Sequence, residues 1–228
     1  MKAVLLAGGR GVRFGDLTLN TPKPLISIAG KALIRHVLDV LPPQIDGCIV
    51  IIGHLGGKIV QEIGEEYRNL PIQYIEQKMT GTGGALLSAQ KSLQNEKQFL
   101  VVGSDDIFGP KELPKLICDS ASYGITYGVP NSKSSMGVIF DENEMFVGFR
   151  AGYKQGEARH FGVGAYILPG TFFSVALHKL PNGEYSIPHS LPGMPFPVRV
   201  RHIHRWLPVN NQKELEYAEQ HIGVQGDF

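Results

Sequence analysis

The chain has 228 residues, 43% of them apolar and 19% charged, and its 22 Lys and Arg stand against 21 Asp and Glu for a formal net charge of +1. Such a balance can bury a core unaided and excludes a disordered chain, a polyanion-coating surface and an acidic tail, so neither a nucleic acid nor a membrane is an expected partner. Two isolated cysteines, Cys48 and Cys118, with no Cys or His at metal-ligand spacing, exclude a disulfide framework and a zinc module and fit a reducing, cytoplasmic setting.

The length predicts one large or two small domains. Glycine (28) and proline (15) are spread along the chain, which predicts short elements joined by tight connections. The apolar opening ends at Gly8-Gly9, too soon for a signal-peptide core or for the ~18 residues of a membrane span. Residues 3–7 read as a buried strand and 31–41 as a helix with Leu33, Val37, Leu38 and Leu41 on one face. A second apolar strand follows over 49–52, then helical spacing at Ile59, Val60, Ile63 and Tyr67, and a strand over 72–75. Next come a helix carrying Ala85, Leu86, Ala89 and Leu93 and a strand over 99–102. Continuous apolar strands alternating with amphipathic helices predict an α/β, Rossmann-like, mostly parallel sheet flanked by helices, with ligands at the carboxyl ends of the strands. Strand-like runs over 124–129, 138–140, 145–149, 163–168 and 198–203 are expected to extend that sheet. A last helix over 212–222, with Leu215, Ala218 and Ile222 on one face, closes a single domain of two lobes divided near residue 108.

Directly after the first strand comes Gly8-Gly9-Arg10-Gly11-Val12-Arg13-Phe14-Gly15. Glycines there let backbone N–H groups approach phosphates without interference from Cβ, and Arg10 and Arg13 add positive charge. The dinucleotide fingerprint fails, because after Gly9 and Gly11 its third glycine would fall at Phe14, which argues against a nicotinamide dehydrogenase. The Walker A pattern fails as well, since Gly30-Lys31 and Gly57-Lys58 lack the earlier glycine and the following Ser or Thr. Pro22-Lys23-Pro24 follows closely, and its prolines are expected to hold the Lys23 backbone out of helix geometry so that the side chain reaches back over the glycine loop.

In these two segments the chain resembles the sugar-1-phosphate nucleotidylyltransferases, or NDP-sugar pyrophosphorylases, whose signature Gly-Gly-x-Gly-Thr-Arg then Pro-Lys-Pro is met by Gly8, Gly9, Gly11, Arg13 and Pro22-Lys23-Pro24, with Val12 in place of Thr. The resemblance runs over about residues 1–220. Gly81-Thr82-Gly83-Gly84-Ala85 resembles the family's Gly-Thr-Ala-Gly-Ala segment, which lines the nucleoside pocket together with an upstream Gln, here Gln77. Gly103-Ser104-Asp105-Asp106 resembles the Gly-Asp-Asn segment whose Asp holds Mg²⁺, which implies Asp105 as a metal ligand. Gly137 and Gly164 lie in segments similar to those that contact the sugar.

Two departures stand out. The family's Glu-Lys-Pro near the sugar is missing after Phe149-Arg150, leaving Lys154 as a stand-in for the lysine, and Pro208 replaces the second metal-binding Asp. A branch of the family that makes UDP-N-acetylglucosamine takes the first Asn of Val-Asn-Asn instead, which implies Asn210. The resemblance thus implies a nucleotide-binding lobe over about 1–108 and an acceptor-binding lobe over about 109–228. Arg13, Lys23 and Asp105 would be catalytic; Leu6, Ala7, Gly8, Gly9, Gly11, Gln77, Gly81 and Thr82 would hold the nucleotide, Gly137 and Gly164 the acceptor, and Asp105 and Asn210 the Mg²⁺.

The implied reaction is in-line attack of an acceptor phosphate on the α-phosphorus of a nucleoside triphosphate, with pyrophosphate leaving. The partners are then a nucleoside triphosphate and a sugar 1-phosphate or another phosphate monoester. A cytidylyltransferase for phosphocholine and an inactive nucleotide-binding homologue stay open as alternatives, as do the base, the sugar and an oligomeric state. Asp106 is open between supporting Asp105 and forming a turn. Alternation puts His202 and His204 on one strand face, either as solvated residues or as a phosphate or metal contact. Nothing resembling an appended repeat follows Ile222, so an acetyl-transferring activity is not expected.

Overall fold

Every second residue of the first strand, β1 (Lys2–Ala7), belongs to one of two different cores, Ala3, Leu5 and Ala7 to one and Val4 to the other, which is what a strand covered on both faces requires. The computed structural model describes residues 1–128, 136–154 and 156–222. After β1 the chain makes a 3₁₀ segment over Val12–Thr18, another over Lys23–Leu25, and the short strands β2 (Ser27–Ile28) and β3 (Lys31–Ala32). Helix α1 (Leu33–Asp39) leads to β4 (Gly47–Ile52), and α2 (Gly56–Ile63) to β5 (Glu66–Tyr67) and β6 (Leu70–Glu76). Then α3 (Gly81–Ser88), α4 (Gln90–Leu93), β7 (Phe99–Gly103) and β8 (Asp106–Phe108) complete the first half. The second half holds β9 (Ala121–Gly128), β10 (Gly137–Phe140), β11 (Phe146–Arg150), β12 (Arg159–Leu168), α5 (Ile187–Ser190), β13 (Val198–His202), β14 (Trp206–Pro208) and α6 (Gln212–Ile222).

Eight strands form one mixed sheet in the order β13-β9-β12-β7-β1-β4-β6-β5. β7, β1, β4 and β6 run parallel, β12 is antiparallel to both β7 and β9, and β13 is parallel to β9. The expected α/β fold is therefore present, with the sheet continuous through both halves. Strand order reverses at β1: β4 and β6 are laid to one side of it and β7 to the other. In open α/β sheets, ligands bind in the crevice outside the strand ends at such a reversal. Registry aligns Leu6 with Gly103 and Ala7 with Ile52, so β1, β4 and β7 end together there. No helix among the described residues is long and apolar enough to cross a membrane.

The structure corrects several local expectations. Lys31 lies in β3 and α1 starts only at Leu33; Tyr67 lies in β5, because Gly64, with φ of 76°, ends α2 and turns the chain. The helix through Ala85 and Leu93 is broken at Ala89, whose φ and ψ of −94° and 3° leave the helical range. β10 and β11 do not extend the main sheet; they pair as a separate two-stranded sheet. Val138, Phe140, Phe146 and Phe149 pack on one of the main cores, while Ile139 and Val147 face outward. Residues 145 and 203 fall just outside their strands, and residue 129 lies outside the described residues.

Candidate active site

A third, smaller core fixes the site from below. It gathers Phe14, Ile26, Ile28, Leu33, Ile107, Val209, Leu215 and Ala218. Phe14 follows Arg13, Ile26 sits on the turn begun by Lys23, Ile107 lies two residues beyond Asp105, and Val209 precedes Asn210. Each segment bearing a candidate polar residue is thus anchored by an apolar neighbour buried in one cluster. The β8/β14 ribbon does the same through hydrogen bonds, pairing Leu207 with Ile107 and Pro208 with Asp106. At the start of α6, Glu214 accepts the Asn210 N–H at 2.8 Å while its own N–H donates to Asn211 Oδ1 at 3.1 Å. That reciprocal cap fixes the backbone at Asn210.

The result is a contact among three residues far apart in sequence. Lys23 Nζ donates to Asp105 Oδ2 at 2.5 Å and to Asn210 Oδ1 at 3.2 Å, with the Phe14 ring 5.5 Å from the ammonium. Only 10% of the Lys23 side chain is exposed, against 31% for Asp105, so the pair is covered on the lysine side and open on the acid side. Contrary to expectation, Lys23 stands in helical geometry, as the first residue of a 3₁₀ turn. Its stem lies against Gly11, where a Cβ would come within 3.1 Å of Lys23 Cβ, while its head points past the loop to Asp105.

Gly11, at φ of 66°, needs the left-handed conformation that glycine adopts freely. Apart from bonds inside the 3₁₀ segment, the N–H groups of residues 9–13 have no backbone partner among the described residues, and Gly9, Arg10, Val12 and Arg13 are exposed. A Cβ on Gly8 would collide with the Gln77 amide, and one on Gly53 with the Gly8 carbonyl, so the floor between β1, β4 and Gln77 has no room for side chains. Gln77 is held there by donating to the Met79 carbonyl at 2.7 Å. Leu6 and Ala7 lie at the end of β1, Leu6 half-buried and Ala7 buried.

Ser104 and Asp106 are the residues that sequence reading missed or left open. The Ser104 hydroxyl and N–H both donate to the Leu6 carbonyl, at 2.8 and 3.3 Å, fastening the Asp105 turn to the strand that launches the glycine loop. Asp106 is buried, and that burial, with the neighbouring Asp105 charge, pushes its carboxyl well above the ordinary range, Lys23 opposing. The signal available in sequence was the acidic pair itself. Gly164, at φ of 70°, faces Asp106, whose Oδ2 would be 3.8 Å from a Cβ there.

Other expected positions are not drawn to Lys23 and Asp105 by any contact among the described residues. Gly137 pairs with Arg150 and is covered by the Tyr153 ring, over which Arg150 and Arg159 stand at 5.4 and 4.6 Å. Gly81 and Thr82 are stitched to the segment before α5: a Cβ on Gly81 would strike the Tyr185 carbonyl, and the Thr82 hydroxyl accepts the Ile187 N–H at 3.1 Å. Lys154 is exposed, its N–H donating to Glu157. His204 lies beyond the end of β13, its ring 6.4 Å from that of His202. Among the described residues no three His, Cys, Asp or Glu side chains are grouped to hold a metal.

The donor set nevertheless suits Mg²⁺. Asp105 Oδ2 and Asn210 Oδ1 are hard oxygens converging on one point, the point that Lys23 Nζ takes, and Mg²⁺ is commonly held by one or two protein oxygens with substrate phosphates completing its shell.

Residues 3–162 match the family model described as the MobA-like NTP transferase domain. The chain is 37% identical over 110 residues to the bifunctional protein GlmU of Methanocaldococcus jannaschii, which covers 47% of this chain and 26% of that protein. It is 30% identical over 178 residues to the mannose-1-phosphate guanylyltransferase catalytic subunit beta of Drosophila melanogaster, covering 73% of this chain and 48% of the relative. The chain thus spans about a quarter of the GlmU relative and about half of the guanylyltransferase. Its fold superposes with a TM-score of 0.78 on the UDP-glucose pyrophosphorylase from Acinetobacter baumanii, at 18% identity and over 98% of this chain and 93% of that one.

Proposed function

This chain belongs to the MobA-like NTP transferase domain family, and from that premise we propose that it transfers a nucleoside monophosphate from a nucleoside triphosphate to a sugar 1-phosphate, releasing pyrophosphate and an NDP-sugar. The observation that carries this reading is the meeting of Lys23, Asp105 and Asn210 beside the glycine loop, at the carboxyl end of β1 and β7. The names of the guanylyltransferase and the pyrophosphorylase support a sugar 1-phosphate as acceptor, and their differing bases and sugars leave both open here.

A triphosphate and a phosphate monoester repel, so the first task is to gather positive charge and oriented donors where they meet. Asp105 and Asn210 would hold Mg²⁺, which when bound neutralises phosphate charge. The N–H groups of the exposed glycine loop, with Arg13, would hold the leaving pyrophosphate, and Lys23 would supply a charge-assisted donor as negative charge builds on it. Gly8, Gly53 and Gln77 pack without room for a further side chain, and Gln77 there would meet the base. Direct transfer without a covalent intermediate fits the neighbouring hydroxyl, since that of Ser104 is committed to the Leu6 carbonyl. Two free thiols support a reducing cytoplasm as its place of work.

The test is pyrophosphate release from the purified chain with Mg²⁺, each common nucleoside triphosphate and a panel of sugar 1-phosphates with phosphocholine as a further acceptor. Release with a sugar 1-phosphate and one preferred triphosphate is expected. Release with phosphocholine and CTP alone would move the acceptor class, and none with any pair, from a chain that binds triphosphate, would overturn the reading.

A further inference from the structure

The two oxygens suited to a divalent cation are already occupied, and the occupant is Lys23. Its ammonium contacts Asp105 Oδ2 at 2.5 Å and Asn210 Oδ1 at 3.2 Å. A metal ion and this ammonium cannot share that point, since both are positive and both need the same lone pairs. We infer that Lys23 holds the cation position until metal arrives, keeping the two ligands facing one another, and that metal entry displaces its ammonium toward the substrate's phosphates. The inference rests on Asp105 and Asn210 being the ligands, as in the reading above.

The surroundings suit a head that moves on a fixed stem. The lysine is buried at its base against Gly11 and Phe14, whereas the acid side of the pair is a third exposed and gives an ion a way in. Lys23 also offsets a cost. Asp105 stands beside the buried carboxyl of Asp106, and a Cβ on Gly103 would come within 2.6 Å of Asp105 Oδ1 and 3.6 Å of Asp106 Oδ2, so the two acids crowd one side of the turn. Among the described residues the Lys23 ammonium supplies positive charge directly against that turn. Metal alone then binds against a resident competitor, and phosphates that offer the ammonium a new partner strengthen metal binding, an effect that linkage makes reciprocal.

Mn²⁺ binding without nucleotide, read by the electron paramagnetic resonance of the free ion, tests this in the full chain. Lys23→Met should bind Mn²⁺ at least about tenfold more tightly than the unaltered protein, and Lys23→Arg, which keeps the charge, no more tightly than it. Lys23→Met binding no better than the unaltered chain, or Arg13→Met tightening binding as much as Lys23→Met, would overturn the inference, the latter by reducing it to a general effect of charge. Asp105→Asn should lose the ion; should it bind normally, the ligand assignment falls and this inference with it. Loss in Asp105→Asn with no gain in Lys23→Met overturns the inference alone. Should Lys23→Met fail to fold in a thermal melt, the unaltered protein answers: its Lys23 ammonium ¹⁵N resonance should move as Mg²⁺ is added without nucleotide, and an unmoved resonance at saturating ion overturns the displacement.

Discussion

Two Lys–Asp pairs lie at opposite edges of the same sheet. At the amino edge, where α1 ends ahead of β4, Lys31 Nζ meets Asp39 Oδ2 at 2.7 Å, and the other carboxylate oxygen takes the Tyr67 hydroxyl at 2.8 Å and Arg68 Nη1 at 3.1 Å. At the carboxyl edge Lys23 meets Asp105 at 2.5 Å, and there the lysine reaches a second acceptor, Asn210, while the acid gains no second donor among the described residues. The first is one acid serving three donors on both its oxygens; the second is one cation serving two acceptors. A carboxylate so engaged has less to offer a ligand than two oxygens converging on a replaceable ammonium. Satisfaction of the acid, rather than the presence of an ion pair, separates a brace from a site.

The comparison breaks most sharply through substitution of the two acids. Asp105→Asn should reduce pyrophosphate release by ~100 to 1000-fold, equivalent to about 3–4 kcal/mol of barrier, as loss of one preorganised electrostatic group does elsewhere. Its melting temperature should stay within about 2 °C of the unaltered chain, because an amide can still accept from Lys23. Near-normal turnover in a folded Asp105→Asn would remove the distinction between the two pairs.

Asp39→Ala should do the reverse, leaving turnover unchanged and costing about 2 kcal/mol of stability, since Lys31, Tyr67 and Arg68 lose a common acceptor that is only 13% exposed. Burial alone would raise the Asp39 carboxyl, but the bonds from Lys31 and Tyr67 and the charges of Lys31 and Arg68 outweigh it and hold it below its ordinary value. A depressed carboxyl stabilises the fold above its unfolded pKa and loses that contribution as pH falls through the folded one. The gap between the unaltered chain and Asp39→Ala in denaturant titrations should therefore be full above about pH 4 and close progressively below it. A gap that persisted unchanged well into acid would mean that the brace works by packing.

Much of this contrast was written in the sequence, and what was not has identifiable causes. Continuous apolar runs such as 49–52 and 99–102 disclosed strands covered on both faces, because burial in such a strand leaves no alternation to misread. The glycine loop, Lys23 and Asp105 were legible because strand ends and phosphate chemistry restrict residue types locally. Their meeting was not, since it depends on β8 and β14, each three residues long and paired only through the tertiary fold. The prolines around Lys23 predicted an extended backbone, yet Ile26 and Phe14, buried in the third core, draw that segment into a turn. The packing of Gly81 against the Tyr185 carbonyl and the bond from the Ile187 N–H to Thr82 depend on a segment about a hundred residues away that no local pattern announces. The Asn211–Glu214 cap that fixes the Asn210 backbone becomes evident only once the helix is placed.

The smallest expected effect sharpens the comparison from within the site. The Ser104 hydroxyl donates to the Leu6 carbonyl at 2.8 Å in a position only 1% exposed. Ser104→Ala leaves the longer N–H bond at 3.3 Å to satisfy Leu6, so the loss should be that of one neutral buried hydrogen bond, about 1 kcal/mol, or roughly 2–4 °C in melting temperature. Because Leu6 leads into Ala7 and the glycine loop, while Ser104 leads into Asp105, the same bond ties the glycine loop to Asp105. Loosening it should lower kcat more than it raises KM, by roughly fivefold, since the groups remain present but less well aligned. Ser104→Thr, which keeps the donor, should recover the turnover lost in Ser104→Ala if the added methyl is accommodated. A Ser104→Ala chain that lost stability but kept kcat would place this bond with Asp39 among the braces and leave the alignment of the site to the third core.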